Sequence, residues 1–95
     1  MDLNEVKSKR NQIMQAAKNR GVRQIRLCGS VARGDQSPDS DVDFLVAFEP
    51  GRSLLDHGGL LMDLQDILGC KVHVISEGSL SPRYRERVLS EALSL

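Results

Sequence analysis

Residues 41–48, Asp-Val-Asp-Phe-Leu-Val-Ala-Phe, constrain the fold of this chain more than any other stretch. Period-two alternation puts Asp41, Asp43, Leu45 and Ala47 on one face and Val42, Phe44, Val46 and Phe48 on the other. A strand of this kind needs a cover for its apolar face, while its opposite face starts with two carboxylates beside apolar neighbours. Like charges side by side on a packed strand are unfavourable unless something neutralises them. The segment therefore calls for a sheet backed by helices and for a cation near residues 41 and 43.

The flanking residues supply those helices. Asp2, with Glu5 three residues on, resembles a capping pair, and Leu3, Val6, Ile13, Met14 and Ala17 fall largely on one helical face, which predicts a helix from the N-terminus to near Gly21. Val22–Cys28 then switches to strand periodicity, with Ile25 and Leu27 alternating with Gln24 and Arg26. Residues 29–40 (GSVARGDQSPDS) read as a connection holding one helical turn over Ser30–Arg33. After a turn at Pro50-Gly51, Leu54, Leu55, Leu61, Leu64, Ile67 and Leu68 predict a second helix closed by Gly69, although Gly58-Gly59 weakens its centre. Lys71–Ser76 is a short β-branched strand, and Ser81-Pro82 starts a last helix whose stripe (Tyr84, Val88, Leu89, Ala92, Leu93) runs to the C-terminus. A 12-residue connection can join antiparallel neighbours, whereas a strand–helix–strand crossover makes its strands parallel. The expected fold is α/β (α+β): one small mixed sheet with flanking helices.

With 95 residues, a single domain spanning 1–95 is the largest organisation to expect. Thirteen basic and thirteen acidic residues cancel overall but not locally. Residues 1–27 carry a net +5, residues 28–70 a net −6 and residues 71–95 a net +1. Neither this balance nor three aromatic side chains suits a nucleic-acid stacking surface, so nucleic acid is a poor expectation for a partner. Cys28 and Cys70 lack metal-type spacing and read as buried free thiols. The charged N-terminus has no secretory apolar core and no run approaches the length of a membrane span, so no membrane role and a cytoplasmic location are expected.

The chemistry is expected where the first two strands and their connection meet. If those strands are antiparallel, Gly29-Ser30 and the Asp41-x-Asp43 pair arrive at the same end of the sheet. A glycine lets the backbone approach phosphate closely, and amides at the start of a helix favour anions. Carboxylates at i and i+2 project the same way and can hold a hard cation. Either feature alone is usually a turn or a solvated pair; together they describe a metal–triphosphate site. Arg33 could contact the triphosphate bidentately or pair with Asp35 or Asp39 on the surface.

The run from Cys28 to Val46, with Gly29, Ser30, Ala32, Arg33, Gly34, Ser40, Asp41 and Asp43, resembles the signature of the minimal nucleotidyltransferases (the MNT group) within the DNA polymerase β-like superfamily, and the similarity extends over nearly the whole chain. The resemblance implies a nucleotidyltransferase-like fold, with Gly29, Ser30 and Arg33 on the nucleotide and with Asp41 and Asp43 as catalytic residues holding Mg²⁺ or Mn²⁺. ATP would be the substrate. It further implies an antitoxin paired with a HEPN-domain ribonuclease toxin, neutralising it by binding and by transferring AMP to a tyrosine hydroxyl.

One position departs from the pattern. The superfamily's third catalytic carboxylate lies on the next strand, and the residue matching it here is His73. Imidazole is a poor Mg²⁺ ligand but can act as a general base near neutral pH. Three readings stay open: a base or alternative metal ligand, a replacement that leaves nucleotide binding with little turnover, or an ordinary strand histidine with the third acid elsewhere. Glu77 is the nearest downstream acid, yet four residues along a strand is about 13 Å. His57 is expected to be structural. The functional expectations are an adenylyltransferase antitoxin and, as the alternative, an inactive nucleotide-binding module that inhibits its partner stoichiometrically. A small-molecule nucleotidyltransferase is disfavoured because such enzymes bring a further helical domain. A homo- or hetero-oligomer remains compatible with the helix stripes.

Overall fold

A computed structural model describes all residues, 1–95. In chain order the elements are α1 (Leu3–Ser8), α2 (Arg10–Asn19), β1 (Val22–Cys28), α3 (Gly29–Arg33), β2 (Val42–Phe48), α4 (Leu54–Leu68), β3 (Val72–Ser76), a 3₁₀ turn (Glu77–Ser79), α5 (Pro82–Glu91) and β4 (Leu93–Ser94). The strands form one mixed sheet in the order β3-β2-β1-β4. β1 is antiparallel to β2 and β4, while β2 and β3 are parallel, as a helical crossover through α4 requires.

The cap expected at Asp2 is present, and a second one appears at Ser53. The Glu5 N–H donates to Asp2 Oδ1 at 2.8 Å, and Asp2 N–H donates back to Glu5 Oε1 at 3.3 Å. Ser53 and Asp56 form the same reciprocal arrangement at the start of α4. The glycine pair inside α4 is tolerated for a packing reason. A Cβ on Gly59 would overlap the Arg20 guanidinium, which crosses the helix there to donate its Nε–H to Asp63 Oδ2 at 2.9 Å.

Two expectations about the termini need correction. The N-terminal helix is not continuous: it breaks at Lys9, which has φ −105° and ψ 14°. The Ser8 hydroxyl donates to the Glu5 carbonyl at 2.6 Å, a back-bond that competes with the helical ladder, and Lys9 N–H turns to Val6 O. The C-terminal helix stops at Glu91; Ala92 is extended (ψ 146°), and Leu93–Ser94 pair with Leu27 and Arg26 as β4. That pairing satisfies part of an otherwise bare β1 edge.

The two faces of the sheet differ in depth of cover. Fourteen buried apolar residues form the core, where Ile25, Leu27, Val42, Phe44, Val46 and Val72 of the sheet meet Val6, Ile13, Ala16, Ala17, Leu60, Leu64 and Leu68 of α1, α2 and α4, with Val31 of α3 closing one end. On the opposite face Leu45 is also fully buried, between Arg26 of β1 and Ile75 of β3. Arg26, its register partner on β1, donates from Nη1 to Glu77 Oε2 at 3.3 Å across that face. α5, which lies nearest, contributes no fully buried residue. No helix is long and apolar enough to cross a membrane.

Candidate functional site

The antiparallel register of β1 with β2 sets Cys28 beside Asp43, and the parallel register of β2 with β3 sets Asp43 beside His73. Asp43 thus occupies the middle of a three-strand row. Gly29 follows Cys28 directly, with φ +74°, where only glycine is unstrained. A side chain there would collide with the Asp43 carboxylate. The connection therefore brings Gly29-Ser30 and Asp43 into contact, as the antiparallel expectation requires, and it does so through backbone that must carry no Cβ.

Asp43 is half-buried and forms no hydrogen bond or ion pair through its side chain. Burial pushes its carboxyl above the ordinary carboxylate value; the His73 and Arg33 charges oppose that rise and the neighbouring Asp41 charge adds to it. The Cys28 thiol is pushed up to about 11, chiefly by burial and then by Asp43, and is a neutral, unreactive group at physiological pH. It is a buried free thiol, as expected, whereas Cys70 is only half-buried.

Asp41 lies just before β2, and its Oδ2 is 2.7 Å from His73 Nε2. A carboxylate oxygen accepts, so Nε2 is the donor in this contact and Nδ1 is the ring nitrogen left outside it. His73 is exposed. Glu77 is not a substitute acid, being committed to Arg26 in the 3₁₀ turn. His57 packs its ring on Phe48 with centroids 5.8 Å apart, a structural contact.

A cleft of about 430 Å³ opens beside Asp43. One wall is Gly29, Ser30, Arg33 and Asp43; the other is Ile75 of β3 with Tyr84 and Val88 of α5. Arg33 reaches this cleft but is held by Asp35 at 3.2 Å and by Glu91 at 3.5 Å, so both sequence readings of it describe part of its position. The α5 residues went unrecognised as site residues because their stripe reads as core packing. The usable signal was that Tyr84, at the start of the stripe, stands among Arg83, Arg85, Glu86 and Arg87, a first turn and a half too charged to be buried. A larger groove of about 580 Å³ lies between α2 and α4, lined by Asn11, Gln12, Gln15, Asn19, Asp63 and Asp66. It contains no glycine approach and no unpartnered half-buried carboxylate, so the smaller cleft is the better candidate.

The donors of Asp41 and Asp43 are hard oxygens, which suits Mg²⁺. No three or more His, Cys, Asp and Glu residues form a cage that could hold a metal without help. Such an incomplete set fits an ion that takes its other ligands from substrate phosphate and water, the usual Mg²⁺ arrangement in nucleotide sites.

The mixed sheet and its flanking helices superpose on a solved structure of a candidate minimal nucleotidyltransferase with a TM-score of 0.92 at 46% identity, covering 100% of this chain and 97% of that one. A family model for the nucleotidyltransferase domain matches residues 9–95, and the chain belongs to that family. It is 38% identical over 95 residues (100% of this chain, 99% of the relative) to a protein of Methanocaldococcus jannaschii provisionally named a protein adenylyltransferase. It is 41% identical over 73 residues (77% of this chain, 74% of the relative) to protein adenylyltransferase MntA of Thermococcus cleftensis. The fold also matches a complex of a tri-AMPylated Shewanella oneidensis HEPN toxin with its MNT antitoxin, at a TM-score of 0.70 and 18% identity, over 93% of this chain and 69% of that one.

Proposed function

We propose that this chain is a protein adenylyltransferase antitoxin that transfers AMP from ATP to a hydroxyl, a tyrosine in the first instance, of a HEPN-type ribonuclease toxin. The observation that carries this reading is the close approach of the Gly29 backbone to Asp43, with Gly29, Ser30 and the Asp43 carboxylate lining one cleft. The relatives named as protein adenylyltransferases support the acceptor class, and the HEPN–MNT complex supports the partner.

In this reading the amides of Gly29 and Ser30 and the Ser30 hydroxyl hold the outer phosphates of ATP, with Arg33 at the rim. Asp41 and Asp43 hold Mg²⁺, which when bound neutralises phosphate charge and the departing pyrophosphate. The acceptor oxygen attacks the α-phosphorus, a new P–O ester forms, the bond to the β-phosphate oxygen breaks and pyrophosphate leaves. His73, oriented by Asp41 through Nε2, accepts the hydroxyl proton at Nδ1.

A second reading is favoured by the same Asp41–His73 contact. It commits one carboxylate oxygen to imidazole where the family places a third acid, which suits a chain that binds nucleotide and partner but turns over slowly. One experiment separates the two. The chain is co-purified with the protein encoded beside it and incubated with Mg²⁺ and α-labelled ATP, and the partner's label and intact mass are followed. The adenylyltransferase reading expects added AMP units that vanish in Asp41→Asn plus Asp43→Asn; transfer surviving that double substitution sinks the assigned site. If His73 limits turnover, His73→Asp raises the transfer rate about tenfold, and equal rates refute that limit.

A further inference from the structure

The cleft has a second wall that phosphate cannot use. Of the three aromatic residues in the chain, Phe44 is fully buried in the core and Phe48 is half-buried against His57. Tyr84 is 55% exposed, and it faces the cleft rather than the core. Val88 stands one turn further along the same helix face, and Ile75 extends the apolar surface from β3. Ser81 and Pro82 cap the start of α5, so the ring is presented from an anchored first turn. The opposite wall carries Gly29, Ser30, Arg33 and Asp43. One cleft of nucleotide size therefore has a polar side, where the Gly29-Ser30 backbone and Arg33 stand with the carboxylates of Asp43 and Glu91, and an aromatic side matched to a planar heterocycle.

We infer that Tyr84, backed by Val88 and Ile75, is the nucleobase-stacking residue of this cleft. The inference rests on the nucleotide reading above and adds the position of the base. Stacking on an aromatic ring contributes about 1–3 kcal/mol per base by alanine substitution and depends little on which base is present. Tyr84 thus contributes affinity for nucleosides over bare phosphates, with weak discrimination among bases.

The chain offers its own probe, because it has one tyrosine and no tryptophan, so its intrinsic emission comes from Tyr84 alone. The full-length protein with Mg²⁺ is titrated with AMP-PNP and, separately, with inorganic tripolyphosphate, following tyrosine emission and calorimetric affinity. AMP-PNP should quench the emission saturably and tripolyphosphate should bind without quenching it. Tyr84→Ala should weaken AMP-PNP about tenfold and leave tripolyphosphate within twofold, whereas Tyr84→Phe should keep AMP-PNP affinity. Unchanged AMP-PNP affinity in Tyr84→Ala, or equal weakening of both ligands, overturns the base subsite while leaving the phosphate site standing. Failure of the unsubstituted protein to bind either ligand overturns the nucleotide reading and the base subsite with it.

Discussion

On β2, alternate residues live in different solvents. Val42, Phe44 and Val46 pack into a core with no buried polar or charged side chain, under α1, α2 and α4. On the other face, one residue along, Asp43 sits half-buried without a partner, Leu45 lies beside the Arg26–Glu77 pair, and α5 above them contributes nothing fully buried. One face is built for density and the other around a cleft. A domain of this size separates the two because it has only about 5–15 kcal/mol of stability in total, and an unpartnered carboxylate can be carried only where the opposite face supplies the surplus.

The largest expected effect tests that division directly. Phe44→Ala should cost about 3–5 kcal/mol, most of what such a domain has, because the cavity is enclosed by three helices and cannot collapse. Leu45→Ala, equally buried one residue away, should cost nearer the lower end of the 2–5 kcal/mol range for aliphatic truncation, because the face it lies on is covered by a helix with no fully buried residue and can relax over the gap. Urea denaturation followed by circular dichroism compares the two. Equal losses would mean that the site face is as rigid as the core.

The next effect lies where the faces meet the connection. Gly29→Ala forces a side chain into positive φ and against Asp43. A strained backbone position of this kind costs about 1–3 kcal/mol, and relief by moving the loop would displace the Gly29 and Ser30 amides from the carboxylate. The expected result is a moderate drop in the denaturation midpoint with AMP-PNP binding lost altogether. A variant that is destabilised but binds normally would detach the glycine from the site.

How far these features can be read from sequence follows from the kind of signal each leaves. The alternation of residues 41–48 is a strong periodic pattern, and it carries both the core face and the placement of Asp41 and Asp43 before any coordinates. The Gly58-Gly59 pair argues against α4 locally, but fifteen residues with a capped start and apolar spacing outweigh it, and only the fold reveals that Arg20 needs the room. β4 leaves no signal, because two residues cannot display a period and its pairing depends on where the β1 edge lies. Tyr84 was visible as a residue but not as a cleft wall, since the placement of α5 over Asp43 is a long-range contact. The Asp41–His73 hydrogen bond is of the same kind: spacing puts the residues on neighbouring strands, and only the parallel register brings the two nitrogen and oxygen atoms together.

The smallest expected effect has the opposite sign from the others. Burial raises the Asp43 carboxyl, so the folded chain holds its proton to higher pH than the unfolded chain, whose value is near the ordinary 3.8. Between those two values the folded state binds more protons, so Asp43 favours folding at low pH and withdraws that support as pH rises through its folded value. At neutral pH the ionised group is a net cost to the free protein. Asp43→Asn should therefore stabilise the free domain, by about 0.5 kcal/mol, and should flatten this part of the pH dependence. Mg²⁺ with AMP-PNP should reverse the order: saturation at a hundred times Kd should add about 2.7 kcal/mol to the unsubstituted protein and little to Asp43→Asn. Thermal denaturation with and without the ligands reads both signs in one experiment. Loss of stability in free Asp43→Asn would show that the carboxylate has a structural partner and that the unpartnered face is not held open for a cation.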